Sequence, residues 1–144
     1  MTHQDILTCY TDGASRGNPG PAAYAYLILS GDKIIEETSE YIGVTTNNVA
    51  EYQGVIAALT TAAKHTGRTV VLYSDSELVI KQINGQYRVR KEHLTGLHQK
   101  VIDLVRNFEK VHFYSVPRGN VYIRKVDGLC NLALDSISGN KNDR

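Results

Sequence analysis

Tyr10-Thr11-Asp12-Gly13-Ala14-Ser15-Arg16-Gly17-Asn18-Pro19-Gly20 is the stretch around which the chain is organised. The apolar run Ile6-Leu7-Thr8-Cys9-Tyr10 leads into Asp12, and three glycines and a proline follow by Gly20. This pattern predicts a half-buried strand that delivers a carboxylate and breaks at once into a tight turn. The next apolar run, Ala22–Leu29, predicts the return strand of a hairpin. A carboxylate at a strand end beside a backbone-rich loop suits a metal ion held against a phosphate. Taken alone, it is equally an aspartate that caps a turn.

Outward from there, Lys33–Tyr41 reads as a third strand, joined to the second by the turn Ser30-Gly31-Asp32. Thr46-Asn47-Asn48 supplies capping side chains for a helix in which Val49, Tyr52, Val55, Ile56 and Leu59 recur at helical spacing up to about His65. Thr69–Tyr73 reads as a buried strand and Glu77–Ile83 as a second helix that stops at Asn84-Gly85. Gln86–His93 is polar, basic and irregular. Leu97, Val101, Ile102, Leu104, Val105 and Phe108 mark a third helix, and Val111–Val116 a last strand. A loop is expected over Arg118–Arg124, then a final helix through Val126, Leu129, Cys130, Ala133 and Leu134. Three sequential strands followed by alternating helix and strand imply an α/β domain with a mixed sheet flanked by helices. Residues 1–137 are expected to form that domain, and 138–144 a polar, frayed tail.

At 144 residues and a net charge of +1, the chain suits one domain with no global field for a polyanion. Basic residues do cluster locally, at Lys81, Arg88, Arg90 and Lys91 and again at Arg118, Arg124 and Lys125. Cys9 and Cys130 sit in apolar contexts without metal-ligand spacing and read as buried thiols in a reducing compartment. The N-terminal Met-Thr-His-Gln-Asp has no signal-peptide pattern, and no apolar run is long enough for a membrane span. The expected setting is cytoplasmic, without a membrane partner.

Four acidic residues stand at element boundaries. Asp12 ends the first strand, Glu51 is expected in the first turn of the first helix, Asp75 ends the fourth strand, and Asp127 is expected in the first turn of the last helix. Ends of adjacent central strands converge on one edge of such a sheet. Glu36, Glu37, Glu40, Asp103 and Glu109 read instead as solvated charge. Gathering four carboxylates is costly, because like charges raise one another's pKa. Divalent cations would supply the compensating charge. Oxygen-only ligands point to Mg²⁺ first and Mn²⁺ second. Two such ions about 4 Å apart can activate a water and stabilise a leaving oxygen at a phosphodiester.

The segments 10–21, Thr-Asn-Asn-Val-Ala-Glu-Tyr (46–52), Tyr-Ser-Asp-Ser (73–76) and Val-Asp-Gly-Leu-Cys-Asn-Leu-Ala (126–133) resemble ribonuclease H of type 1, in its compact archaeal and bacterial form. The resemblance runs from about Leu7 to Ala133. It implies a ribonuclease H-like fold with a five-stranded mixed sheet. It also implies Mg²⁺-dependent, sequence-independent endonucleolytic cleavage of the RNA strand of an RNA–DNA hybrid, leaving 5′-phosphate and 3′-hydroxyl ends. Asp12, Glu51, Asp75 and Asp127 fall on the family's metal-binding quartet, with Glu51 also at the RNA 2′-hydroxyl. Asn18, Asn47 and Asn48 fall on minor-groove contacts, and Thr46 with Asn18 on a DNA-phosphate pocket. Of Asn47 and Asn48, one is expected to cap the helix and the other to face substrate. Short amides suit a shallow minor groove read without base specificity.

The chain departs from larger members in two places. Arg118 stands where many carry a histidine before the last carboxylate. Arginine gives up no proton near neutral pH, so its implied role is electrostatic: holding a phosphate or easing metal and product departure. The chain also lacks tryptophan and the extended basic handle. Tyr87 and Arg88, with Arg90 and Lys91, would form a reduced DNA grip, and weaker, salt-sensitive binding is expected. His93 and His98 lack metal partners at useful spacing and are left out of the site. A non-cleaving module for hybrids or structured RNA is the alternative. An actin-like ATPase needs a second lobe for which 144 residues leave no room. A monomer is expected, and double-stranded RNA stays open as a second substrate.

Overall fold

A computed structural model describes residues 6–142. The polar N-terminus and the last two residues lie outside the described residues. The elements run β1 (Ile6–Ser15), β2 (Gly20–Ser30), β3 (Lys33–Thr45), α1 (Asn47–Ala62), β4 (Thr69–Ser74), α2 (Glu77–Ile83), α3 (Glu92–Val105), β5 (Lys110–Ser115) and α4 (Val121–Asn142). The sheet order is β3-β2-β1-β4-β5. β1, β2 and β3 pair antiparallel, while β4 pairs parallel with both β1 and β5. The expected mixed sheet is therefore the one that forms.

Alternation along the strands decides which side chains meet which helices. Leu7, Cys9, Val70 and Leu72 turn to one face and are buried with Tyr52 and Leu59 of α1, Val79 of α2 and Val101 of α3. Ala25, Leu27 and Leu29 turn to the other face, where Ile123, Val126 and Cys130 of α4 cover them. Both cysteines are buried and unpaired. Burial holds the Cys9 thiol at a pKa of about 12, so it stays protonated.

Several boundaries differ from the sequence reading, each for a local reason. β1 does not break at Asp12. Gly13, Ala14 and Ser15 stay paired with Tyr24, Ala23 and Ala22 of β2, so ladder hydrogen bonds prevail over the glycine signal and the turn falls later. Gly17, in that turn, has φ +93°, a conformation that favours glycine. α1 ends at Ala62 rather than near His65. Phe108 lies beyond the end of α3 and is buried in the connection to β5. α4 begins at Val121, inside the expected loop. Asn120 Oδ1 accepts from the backbone N–H of Tyr122 and Ile123, at 2.9 and 3.1 Å, which starts the helix early, and buried Ile123 anchors it. The helix then continues to Asn142, through most of the stretch expected to fray.

Candidate active site

Asp12 occupies the point where β1 outlasts its parallel partner. The β1–β4 pairing ends at Thr11 and Ser74, and Asp75 follows directly. Glu51 comes from the far side, on α1, and reaches the same edge because residue 13 is glycine. A Cβ there would run into the backbone of Ala50 and Glu51, so only glycine lets α1 lie this close to β1. Glu51 is the fifth residue of its helix, so it opens the second turn rather than sitting in the first. One oxygen each from Asp12, Glu51 and Asp75 lies within 4.8 Å of the others.

This cluster is buried as well as close. Asp12 is 5% and Glu51 6% exposed. Burial, then the charges of Asp75 and Asp127, push the Asp12 pKa up to about 7. Burial, then the charges of Asp12 and Asp75, hold Glu51 well above the carboxylate range, with a hydrogen bond from the Gly13 backbone and, less, Arg118 pulling the other way. Glu51 Oε1 is buried and has no hydrogen-bond partner in the protein. A buried oxygen without a donor, beside two more carboxylates, is a donor set that could hold a metal ion. The residues present therefore fit the ion their chemistry calls for.

Asp127 falls outside the 4.8 Å grouping of the other three, yet its carboxyl is within hydrogen-bond reach of the Asp12 side chain. Because α4 starts at Val121, Asp127 falls in the second turn, not the first, and is exposed. Its charge still acts on Asp12. Asn131, one turn later, donates from Nδ2 to Asp127 Oδ2 at 3.5 Å. Arg118 Nε donates to Asp75 Oδ2 at 3.1 Å, with an arginine side chain 90% exposed and an aspartate side chain only 12% exposed.

The polar residues at the start of α1 have divided their work differently from the expectation. Thr46, not an asparagine, is the N-cap, its Oγ1 accepting from Val49 N–H at 3.2 Å. Asn47 Oδ1 accepts from Ser15 N–H at 3.3 Å, and Asn18 Oδ1 accepts from Asn47 N–H at 3.0 Å. Threonine at 46 can cap because its extended backbone aims the hydroxyl at the third helical amide, and that leaves both asparagines for other partners. Asn48 faces a cavity of about 440 Å³ that Gln82, Tyr87, Arg88, Arg90 and Lys91 also line. The structure thus brings Asn48 together with Tyr87 and Arg88, and Asn18 together with Thr46 and Asn47. Tyr87 is half exposed, with Lys81 Nζ 5.0 Å from its ring centre. His98 bonds the Gln82 carbonyl at 3.1 Å, away from the carboxylates.

Two contributors escape a reading of the sequence. Gly13 acts as a spacer between two elements, whereas its sequence context signals only a turn. Arg16 ties the glycine-rich loop to α4, through Asp135 Oδ1 at 2.7 Å and Asn131 Oδ1 at 3.3 Å. Asp127, Asn131 and Asp135 recur every four residues, which signals one polar helix face but not the arginine that meets it.

The RNase H family model matches residues 4–140. Bifunctional protein Rv2228c of Mycobacterium tuberculosis is 38% identical over 130 residues, covering 88% of this chain and 35% of that protein. Ribonuclease HI of Halobacterium salinarum is 41% identical over 127 residues, covering 88% of this chain and 63% of that protein. The chain thus spans less than two thirds of the length of these curated relatives. The solved structure of LC11-RNase H1 in complex with RNA/DNA hybrid, a protein isolated from compost, superposes with a TM-score of 0.83 at 34% identity, over 91% of this chain and 98% of that one.

Proposed function

This chain belongs to the ribonuclease H family, and from that premise we propose that it hydrolyses the RNA strand of RNA–DNA hybrids, without sequence preference, leaving 5′-phosphate and 3′-hydroxyl ends. The observation that carries this reading is the close triad of Asp12, Glu51 and Asp75, the first two buried, with an unsatisfied Glu51 oxygen. Asp12, Glu51, Asp75 and the rim carboxylate Asp127 would hold divalent metal, two Mg²⁺ ions with Mn²⁺ as a substitute. Divalent metal at such a site supplies Lewis-acid chemistry at the phosphodiester and lowers the pKa of water.

The chain's own residues do the rest. Glu51 would also accept a 2′-hydroxyl, which selects RNA as the strand that is cut. Arg118, anchored beside Asp75, offers a permanent cation to a phosphate. Asn18 and Thr46 hold a phosphate of the DNA strand, and Asn47 and Asn48 reach the minor groove. Tyr87 and Arg88 grip the DNA strand across the cavity that Asn48 shares with them. The solved LC11-RNase H1 complex with an RNA/DNA hybrid supports this substrate class. Two buried free thiols suit a reducing, cytoplasmic setting.

A labelled hybrid incubated with Mg²⁺, with EDTA, and with Asp12→Asn protein tests the proposal. Cleavage is expected only for the unaltered protein with Mg²⁺. Binding without cleavage in all three would identify a recognition module instead, and a double-stranded RNA arm reads the second substrate.

A further inference from the structure

The proposed metal site already contains a cation of its own. Three carboxylates crowd one edge of the sheet, and Arg118 Nε reaches Asp75 Oδ2 at 3.1 Å. Among the described residues, no other ion pair places a lysine or arginine on Asp12, Glu51 or Asp75. The two partners differ in their surroundings. Asp75 is nearly buried, whereas the arginine side chain is almost wholly in solvent and is held there by this contact. It rises from the connection between β5 and α4, where Pro117 and Gly119 flank it. With its guanidinium in solvent, such a pair is screened on one side and readily exchanged. Arg118 also acts through space on Glu51, so its charge is felt by two of the three carboxylates.

From this geometry we propose that Arg118 is a displaceable counter-ion: it occupies Asp75 when metal is away, competes with divalent metal for that carboxylate, and is released toward the substrate phosphate when metal binds. This rests on the metal-site reading above. The consequence is a mutual antagonism at Asp75. Asp75 Oδ2 cannot serve a guanidinium and a metal equally well, so each event weakens the other. Only Nε is engaged on Asp75, so the Nη groups already face solvent, and metal arrival would free the whole guanidinium to turn toward a phosphate. Arg118 lowers metal affinity and couples metal arrival to phosphate capture, roles that a plain phosphate contact would not have.

The test is calorimetric titration of Mg²⁺ into the full chain at pH 8, with wild type, Arg118→Ala and Arg124→Ala compared. Arg124 is exposed on α4 and forms none of the ion pairs above. Its loss removes one positive charge without touching a carboxylate. Arg118→Ala is expected to bind Mg²⁺ about three- to tenfold more tightly, and Arg124→Ala to match wild type. In parallel, the Arg118 Nε–Hε resonance in wild type is expected to move with the same Mg²⁺ midpoint. Unchanged or weaker affinity in Arg118→Ala, an equal gain in Arg124→Ala, or an immobile Nε–Hε signal at saturation would each overturn the proposal. Absence of any Mg²⁺ binding by wild type would instead sink the metal-site reading beneath it.

Discussion

The carboxylate edge and the basic segment Gln86–Lys91 both draw on α1, yet they are built in opposite ways. Glu51 enters the first among groups that are almost completely buried and locked by strand pairing. Asn48, less than a turn earlier, faces the second, where Gln86, Tyr87, Arg88, Arg90 and Lys91 are all exposed. One region carries its cost in the folded state, as crowded charge with a raised Asp12 pKa. The other carries almost none and leaves its side chains open to solvent. If the proposed function holds, the difference makes cutting and gripping separable in this molecule. Substitutions in the first region should strike turnover, and substitutions in the second should strike affinity.

Asp12→Asn gives the sharpest contrast. It should lower hybrid cleavage by about a thousandfold or more, with hybrid affinity in the presence of Ca²⁺ or EDTA changed little. Single-turnover rates and a binding titration on the same preparation check this, and equal losses in both would erase the separation. Gly13→Ala comes next. A methyl group there meets the α1 backbone, and overpacking of this sort costs about 1–3 kcal/mol. It should lower the midpoint of denaturant unfolding and lower kcat together, because the same shift moves Glu51 away from Asp12.

The third expectation concerns pH. The folded-state pKa of Asp12 lies near 7, above its ordinary value of 3.8, and Glu51 is raised too. Protonated carboxylates thus favour the fold. Their contribution is complete below the unfolded pKa and is lost as pH rises through about 7. Metal-free protein should therefore have a smaller Asp12→Asn stability deficit, or none, at pH 8 than at pH 5, and Mg²⁺ should stabilise wild type most at pH 8. Thermal melts of both proteins with and without Mg²⁺ read this directly. The smallest effects belong to the basic segment. Tyr87→Ala and Arg88→Ala should each raise KM about threefold with kcat nearly unchanged. Arg88→Ala should also reduce the salt slope of hybrid binding by about 1.

The same division explains what the sequence could reveal. Strand alternation and helical spacing are local, and they placed the five strands and four helices of the described residues in the right order. Asp12 and Asp75 were legible because each sits next to an apolar run that ends. What stayed hidden depends on partners distant in the chain. The pairing of Gly13–Ser15 with Ala22–Tyr24 extends β1 past Asp12, and the Asn120 cap moves Asp127 into a second turn and to the rim. The choice of Thr46 as cap, and the meeting of Arg16 with Asn131 and Asp135, are likewise settled by packing rather than by spacing. Gly13 looked like a turn residue because a close approach between elements leaves no local mark.

The claim on which everything else stands is that Asp12, Glu51 and Asp75 were gathered to hold divalent metal. Anomalous diffraction from a crystal of the chain grown in Mn²⁺ addresses it directly. A strong peak is expected, bonded to oxygens of Asp12 and Asp75 and within reach of Glu51. Empty density there, with manganese seated elsewhere on the molecule, would contradict it.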